Sequence, residues 1–256
     1  MKIRIIIPLL LFGLFIQCKN QIIEKTKIEQ ILAINNYDYR GSEKFELYSD
    51  NTYIFTSIKK IIGPEKVEKF KGIYFLKNDT IYFDQSLHAY NKSKKAVIKN
   101  NFIEFVGGIF PLKIEIKKNR LQTKNKLDLR KYNDYAFFTF DSNFYAIYYN
   151  YEPNTIKPYD LNQKELIEVN QILKKCFSEN NSKLKNLSKY VKQCTAIIND
   201  KKEKEVWIKC YCKDFYIENE YKYSLIDMSD GGNCNISLKI NLTKHSYSDL
   251  STGGLG

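Results

Sequence analysis

Between Phe45 and Thr123 the chain alternates short apolar runs with brief polar breaks. Phe45–Tyr48 and Thr52–Ile58 flank Ser49-Asp50-Asn51, and Phe70–Leu76 and Thr80–Asp84 flank Asn78-Asp79. Lys95–Ile98 and Phe102–Val106 flank Asn100-Asn101, and Leu112–Ile116 and Leu121–Thr123 flank Lys118-Asn119. Asn and Asp tolerate the left-handed conformations of tight hairpins, so each break predicts a turn and each run a strand. Within the runs the period is two: Leu112, Ile114 and Ile116 alternate with Lys113, Glu115 and Lys117, as on a half-buried strand. Sequential strands joined by short turns make an antiparallel meander, and closing it into a barrel removes its exposed edges.

Beyond Tyr159 the period changes. Asn162 stands three residues before Glu165, a variant of the capping box, and Leu166, Val169, Leu173 and Cys176 then recur at helical spacing, with Ile172 beside them, until Asn180-Asn181. Val191–Ile198 and Val206–Cys212 read as strands around Asp200-Lys201-Lys202. Tyr221–Met228 and Cys234–Leu242 read as another pair around Asp230-Gly231-Gly232-Asn233, where paired glycines supply the positive φ of a primed turn. One helix followed by antiparallel strands predicts an α+β layer. The expected fold class is therefore mainly β plus α+β: an N-terminal antiparallel meander or barrel, and a C-terminal single helix packed on an antiparallel sheet. Between them, residues 131–160 are crowded with aromatics, including Phe137, Phe138, Phe140, Phe144, Tyr148 and Tyr149, and broken by Pro153 and Pro158. They read as an aromatic linker or additional strands, packed between strands or between domains.

The first forty residues follow neither pattern. Lys2 and Arg4 precede Ile5–Ile16, a twelve-residue run without charge that ends at Gln17-Cys18-Lys19-Asn20. A basic head and an apolar run of that length predict an export signal, and about 18 Å of helix is too short to cross a ~30 Å bilayer core. Phe15-Ile16-Gln17-Cys18 resembles the lipobox of bacterial lipoproteins, although Gln17 stands where a small residue is usual. The resemblance implies cleavage after residue 17 and lipid attachment at Cys18. Two acyl chains give stable anchoring where one is marginal. Lys19 resembles the outer-membrane sorting pattern of that class, which implies a lipid-anchored place in the cell envelope, at the outer membrane of a Gram-negative bacterium. Ile22–Asn36 reads as a short tether helix.

The phrase Lys71-Gly72-Ile73-Tyr74-Phe75-Leu76, then Asn78-Asp79-Thr80-Ile81-Tyr82, resembles the lipocalin-like domains of bacterial envelope lipoproteins. Tyr190 through Cys194, and Asp230-Gly231-Gly232-Asn233-Cys234 through Lys239-Ile240-Asn241-Leu242-Thr243, resemble a cystatin-like architecture and an uncharacterised envelope module. The expected organisation is a signal over 1–17, a lipidated tether over 18–40, a lipocalin-like domain over 41–130, the aromatic stretch over 131–160 and an α+β domain over 161–256. The two domains are expected to fold independently.

Composition narrows the function. Twenty Tyr and sixteen Phe favour folded β structure over disorder. The net charge is +12, yet Lys outnumbers Arg 37 to 4 and is scattered through every segment, which argues against nucleic-acid recognition. No G-x-S-x-G elbow, H-E-x-x-H, phosphate loop or dinucleotide fingerprint is present, so no enzyme activity or cofactor is expected. Only His88 and His245 exist, and Cys210-Tyr211-Cys212 lacks the Cys-x₂-Cys spacing of a metal site, so no metal is expected. Asp227 and Asp230 read as turn formers, Gly107-Gly108 as a bulge or bend, His245 as solvated, and Ser251–Gly256 as a frayed tail.

The cysteines are the most informative internal feature. By strand and helix period Cys194, Cys210, Cys212, Cys234 and Cys176 all face one helix-on-sheet core, and export permits disulfides. Five cysteines allow two bridges and a spare in many ways. A hairpin centred on Lys202 would set Cys194 opposite Cys210, with Cys212 and Cys234 as the second pair and Cys176 as the unpaired thiol. The expectation is a non-catalytic envelope lipoprotein with a binding or structural role. One alternative is a carrier of a small apolar ligand inside the barrel, and another an inhibitor or immunity-type module that binds a partner protein. Its partners would be the membrane, through the anchor, and a protein or small apolar ligand, not nucleic acid.

Overall fold

The computed structural model describes residues 27–37, 40–60, 63–84, 91–123, 127–142, 155–215 and 219–254. The expected export signal, Cys18, His88, Phe144, Tyr148 and Tyr149 lie outside the described residues. Eight antiparallel strands, β1 (Glu29–Asn36), β2 (Gly41–Tyr48), β3 (Thr52–Lys59), β4 (Lys66–Lys77), β5 (Thr80–Phe83), β6 (Lys95–Lys99), β7 (Phe102–Val106) and β8 (Leu112–Asn119), form a closed barrel in sequential order, as in a lipocalin-like fold. The turns follow the Asn/Asp punctuation: Asn78 and Asp79 (φ 50° and 58°) and Asn100 and Asn101 (φ 49° and 67°) each supply two left-handed residues. Such primed turns match the right-handed twist of their flanking strands.

Two expectations about this barrel are corrected. Residues 29–36 form a strand, not a tether helix, and they supply the edge that closes the barrel. Leu121–Thr123 is not a strand, and β8 pairs with β1 instead. The reason lies in the faces: Ile31 and Ala33 are fully buried and point inward at the strand period, so the barrel core recruits this segment. The β1–β8 ladder shifts register after Leu32. Beyond that shift the side chain of Asn35, itself fully buried, closes the seam. Its amide nitrogen donates to the Lys113 carbonyl at 2.6 Å, and its oxygen accepts from the Glu115 N–H at 3.0 Å.

The barrel interior is packed with its own rings. Phe45, Tyr53, Phe55, Phe83 and Phe105 form a chain of contacts with centroids 4.9–6.1 Å apart, and Ile81, Ile98, Ile103 and Ile114 belong to the same buried core. Offset and edge-to-face rings at these distances stabilise one another beyond the area they bury.

The second module is a mixed six-stranded sheet under one helix, α1 (Gln163–Glu179). Strand β11 (Tyr190–Ile198) sits inside it, with β12 (Lys204–Cys212), β13 (Asn235–Asn241) and β14 (Ser246–Thr252) following in antiparallel order on one side. On its other side β9 (Tyr135–Thr139) pairs in parallel and β10 (Lys157–Pro158) antiparallel. The aromatic stretch thus supplies strands: Tyr135 and Phe137 join the core under α1, whereas Phe138 and Phe140 face the opposite side of the sheet. The helix begins at Asn162, whose Oδ1 accepts from the Lys164 and Glu165 N–H groups while Glu165 returns a bond to the Asn162 N–H.

Tyr221–Met228 is not a strand, which corrects an expectation for this half. The strand that pairs with β13 is β14, so Ser251 and Thr252, expected as frayed tail, are in the sheet, and Gly254 bridges Asp230. Gly231 and Gly232 do have positive φ (98° and 52°), but they lead into a short 3-10 turn rather than a hairpin. Residues 221–228 instead cross the sheet face opposite α1, held by a buried glutamine. Gln193 donates to the Tyr221 and Ser224 carbonyls at 2.7 and 2.8 Å and accepts from the Ile226 N–H at 2.9 Å.

The two modules keep separate hydrophobic cores but share a polar junction on the outer face of β7 and β8. The Lys113 ammonium is buried there, donates to the Phe137 carbonyl at 2.5 Å, and lies over the Phe102 and Phe138 rings at 4.3 and 4.6 Å. Its neighbour Glu104, also buried, accepts from the Thr139 N–H and hydroxyl at 2.6 and 2.8 Å. Lys99 pairs with Asp160, Arg40 pairs with Glu220, and the Lys113 N–H donates to the Tyr223 carbonyl at 2.8 Å.

Candidate functional site

All five cysteines of the second module lie in the core beneath α1. Cys212 and Cys234 form a disulfide, with Cα atoms 4.8 Å apart, while Cys176, Cys194 and Cys210 are free and buried. The expected bridge between Cys194 and Cys210 is absent, and the register explains why. Cys194 lies opposite Ile208, and Cys210 lies opposite Lys192, so the hairpin is centred one residue earlier than expected. That shift moves every partner by two positions. It therefore keeps both cysteines on the core face while removing their direct opposition. Burial pushes the Cys176 thiol up to about 11 and the Cys210 thiol up to about 12, and raises Cys194 as well. Thiols held protonated in an apolar core are inert rather than nucleophilic.

Above this core a cleft of about 640 Å³ opens between α1, the loop that follows it and the start of β9. From α1 it receives Asn170, Lys174, Phe177 and Ser178, from the loop Asn181, Leu184, Lys185 and Asn186, and from the strand side Lys131, Asp134, Tyr135 and Lys192. The positions follow from local structure. Asn180 caps the helix through its N–H to the Cys176 carbonyl, which turns the chain so that Lys185 reaches back over the sheet. Asn186 then caps a 3-10 turn by accepting from the Ser188 N–H at 3.0 Å.

The side chains in the cleft are tied down. Lys185 Nζ lies 3.0 and 3.2 Å from the disulfide sulfurs, so the Cys212–Cys234 bridge also forms part of the support for this lysine. Tyr135 donates its hydroxyl to Asn170 Oδ1 at 2.9 Å, and burial holds that phenol far above its ordinary pKa. Lys192 pairs with Asp134, which Lys213 also approaches at 3.6 Å. Beyond the buried Lys192–Asp134 pair, Lys131, Lys174 and Lys185 line the cleft, whose one lining carboxylate is thus already shared. A concave wall with one excess sign of charge concentrates counter-charged ligands. Among the described residues no group of three metal-ligating side chains occurs.

A second recess of about 440 Å³ on the other sheet face carries Trp207, Glu203, Glu205, Lys239 and Lys244. Its charges are mutually compensated. Lys244, Asn241 and Asn199 hold the Glu203 carboxyl down at about 2, and Trp207 donates its indole N–H to Glu205. The Asp230 carbonyl accepts from Asn235 at 3.0 Å, and the Asp227 carboxylate acts on Lys209. His245 is exposed, with Nδ1 2.5 Å from Glu168 Oε1. Sequence reasoning missed the cleft because its lysines are indistinguishable from the many others. The two Asn residues that cap the helix and the loop, Asn180 and Asn186, were the available signal. The chain matches no protein-family model, no curated protein and no solved structure.

Proposed function

We propose that this is an exported, lipid-anchored envelope protein without catalytic activity, in which the barrel is a solid scaffold and the second module binds a partner protein through an acidic surface element. The observation that carries the reading is the cleft beside α1, lined by Lys131, Lys174 and Lys185 together with the Lys192–Asp134 pair, so that its one lining carboxylate is already engaged. A rigid helix-on-sheet body of cystatin-like character suits an inhibitor or immunity-type role, because a preorganised surface loses little entropy on binding. The carrier reading is less well supported, since the Phe and Tyr side chains occupy the barrel interior. Attachment rests on Cys18 at the end of the Ile5–Ile16 run, and outer-membrane placement on Lys19.

Two experiments test this. Native mass spectrometry of the protein taken from its own envelope is expected to find a stoichiometric acidic protein, lost in the Lys131→Glu/Lys174→Glu variant. A retained apolar small molecule and no protein would sink the reading in favour of a carrier. Labelling with a radioactive fatty acid is expected in the wild type and not in Cys18→Ser, and equal labelling of both would remove the anchor.

A further inference from the structure

The outward positions of β4 are Val67, Lys69, Lys71, Ile73, Phe75 and Lys77, and every one of them is exposed. Ile73 and Phe75 are 58 % and 59 % exposed, more than any other large apolar side chains among the described residues. Phe75 stacks on Tyr82 of β5, with ring centroids 4.6 Å apart, and Tyr82 lies opposite Lys95 of β6. The register places Thr, Ile, Val, Phe, Tyr and Lys at the outward positions of β3 to β6, and no Asp or Glu. Lys69, Lys71 and Lys77 have no ion-pair partner among the described residues. The barrel therefore carries a face of exposed apolar rings and aliphatics interleaved with uncompensated lysines.

Three features say what covers this face. Strand β4 lies four places from β8 around the eight-strand ring, so the face points directly away from the second module. The N-terminal leash also arrives beside it: Lys27 Nζ donates to Thr52 Oγ1 at 2.7 Å, and Thr52 stands opposite Ile73 on β4. From Cys18 to Lys27 the chain spans at most about 30 Å, so an anchor at Cys18 keeps this face within reach of the bilayer. Finally, the charge is complementary to anionic headgroups, with aromatic and aliphatic side chains at the depth where interfacial residues sit.

We infer that the outer face of β3–β5 lies against an anionic lipid surface, with Ile73 and Phe75 in the headgroup–acyl boundary and the β4 lysines at the phosphates. This rests on the lipid-anchored reading above. Docking by this face holds the second module, which sits at β7 and β8, on the side of the barrel away from the bilayer.

The test uses the full chain, purified from its envelope and reconstituted in vesicles of phosphatidylglycerol and phosphatidylcholine whose acyl chains carry bromine. F75W is the reporter and I167W, at an exposed position on α1, the control; Trp207 is buried and gives a constant background. The F75W indole is expected to emit at shorter wavelength on vesicle binding and to be quenched by bromine, whereas I167W is not. Both changes should be lost in a Lys69→Glu/Lys71→Glu background and in vesicles of phosphatidylcholine alone. Water-like, unquenched emission from F75W on vesicle-bound protein overturns the inference, as does equal quenching of I167W. The intact mass of the same preparation reports acylation at Cys18 independently. Acylated protein with unquenched F75W ends the docking proposal and leaves the anchor standing. Unacylated protein with quenched F75W does the reverse.

Discussion

The ammonium of Lys113 on β8 and the main-chain carbonyl of Phe137 on β9 meet at 2.5 Å across the junction of the two modules. Complete burial lowers the Lys113 pKa from 10.5 to about 8, although nearby Glu104 acts in the opposite direction. A lysine depressed in the folded state costs stability while it is charged. The full cost is present below about pH 8 and is relieved as pH rises toward 10.5, because the unfolded chain then binds more protons than the folded one. Compared with Lys113→Met, the wild type should therefore gain stability across that window, on the order of 3 kcal/mol. Urea unfolding of both proteins at several pH values reads the difference, and parallel curves would refute the assignment.

Asn35 completes the barrel seam where the β1–β8 ladder slips. Replacing it with Ala leaves the Lys113 carbonyl and the Glu115 N–H without their partner, at a cost of about 1–3 kcal/mol for each buried group so orphaned. Chemical denaturation of Asn35→Ala should show a lowered midpoint, and hydrogen exchange should quicken first in β1 and β8. A variant as stable as wild type would mean that water or a ladder shift replaces the amide.

The Cys212–Cys234 bridge closes a loop with a sequence separation of 22. Removing it in Cys212→Ser/Cys234→Ser should cost roughly 3 kcal/mol by the chain-entropy argument. Non-reducing peptide mapping should recover that pair alone, and Cys176, Cys194 and Cys210 should resist thiol reagents until the protein unfolds. A Cys194–Cys210 peptide would contradict the observed register.

Asn162→Ala removes two bonds that cap α1, and about 1 kcal/mol of stability should go with them. The Glu165 carboxylate also holds the Lys204 ammonium at 2.5 Å and the Tyr159 hydroxyl at 2.8 Å, so Glu165→Ala should cost more than Asn162→Ala in the same unfolding assay. The reverse order would mean that Glu165 acts only as a capping partner.

Where structure was local, the sequence alone determined it. Asn78-Asp79 and Asn100-Asn101 announce tight turns because few other residues adopt positive φ cheaply, and the structure places all four there. The cap at Asn162, the stripe from Leu166 to Cys176, and the shared inward face of the five cysteines follow from periods of 3.6 and two. The barrel and the helix-on-sheet layer were legible for the same reason.

Tertiary structure decided everything that depended on a choice among equivalent partners. Residues 29–36 became a strand because the barrel needed an eighth edge, and nothing within that segment distinguishes it from a tether. Tyr221–Met228 has strand-like composition, but β13 already occupies the β12 edge, so Gln193 holds the segment across the sheet instead. The Cys194–Cys210 register differs from expectation by two positions, a change invisible to a period-two pattern because it leaves every face as it was. Lys113 reads as an outward, solvated position in its strand, and only the arrival of β9 over that face buries it. The basic cleft has the same origin, since scattered lysines form a site only where helix, loop and strand converge.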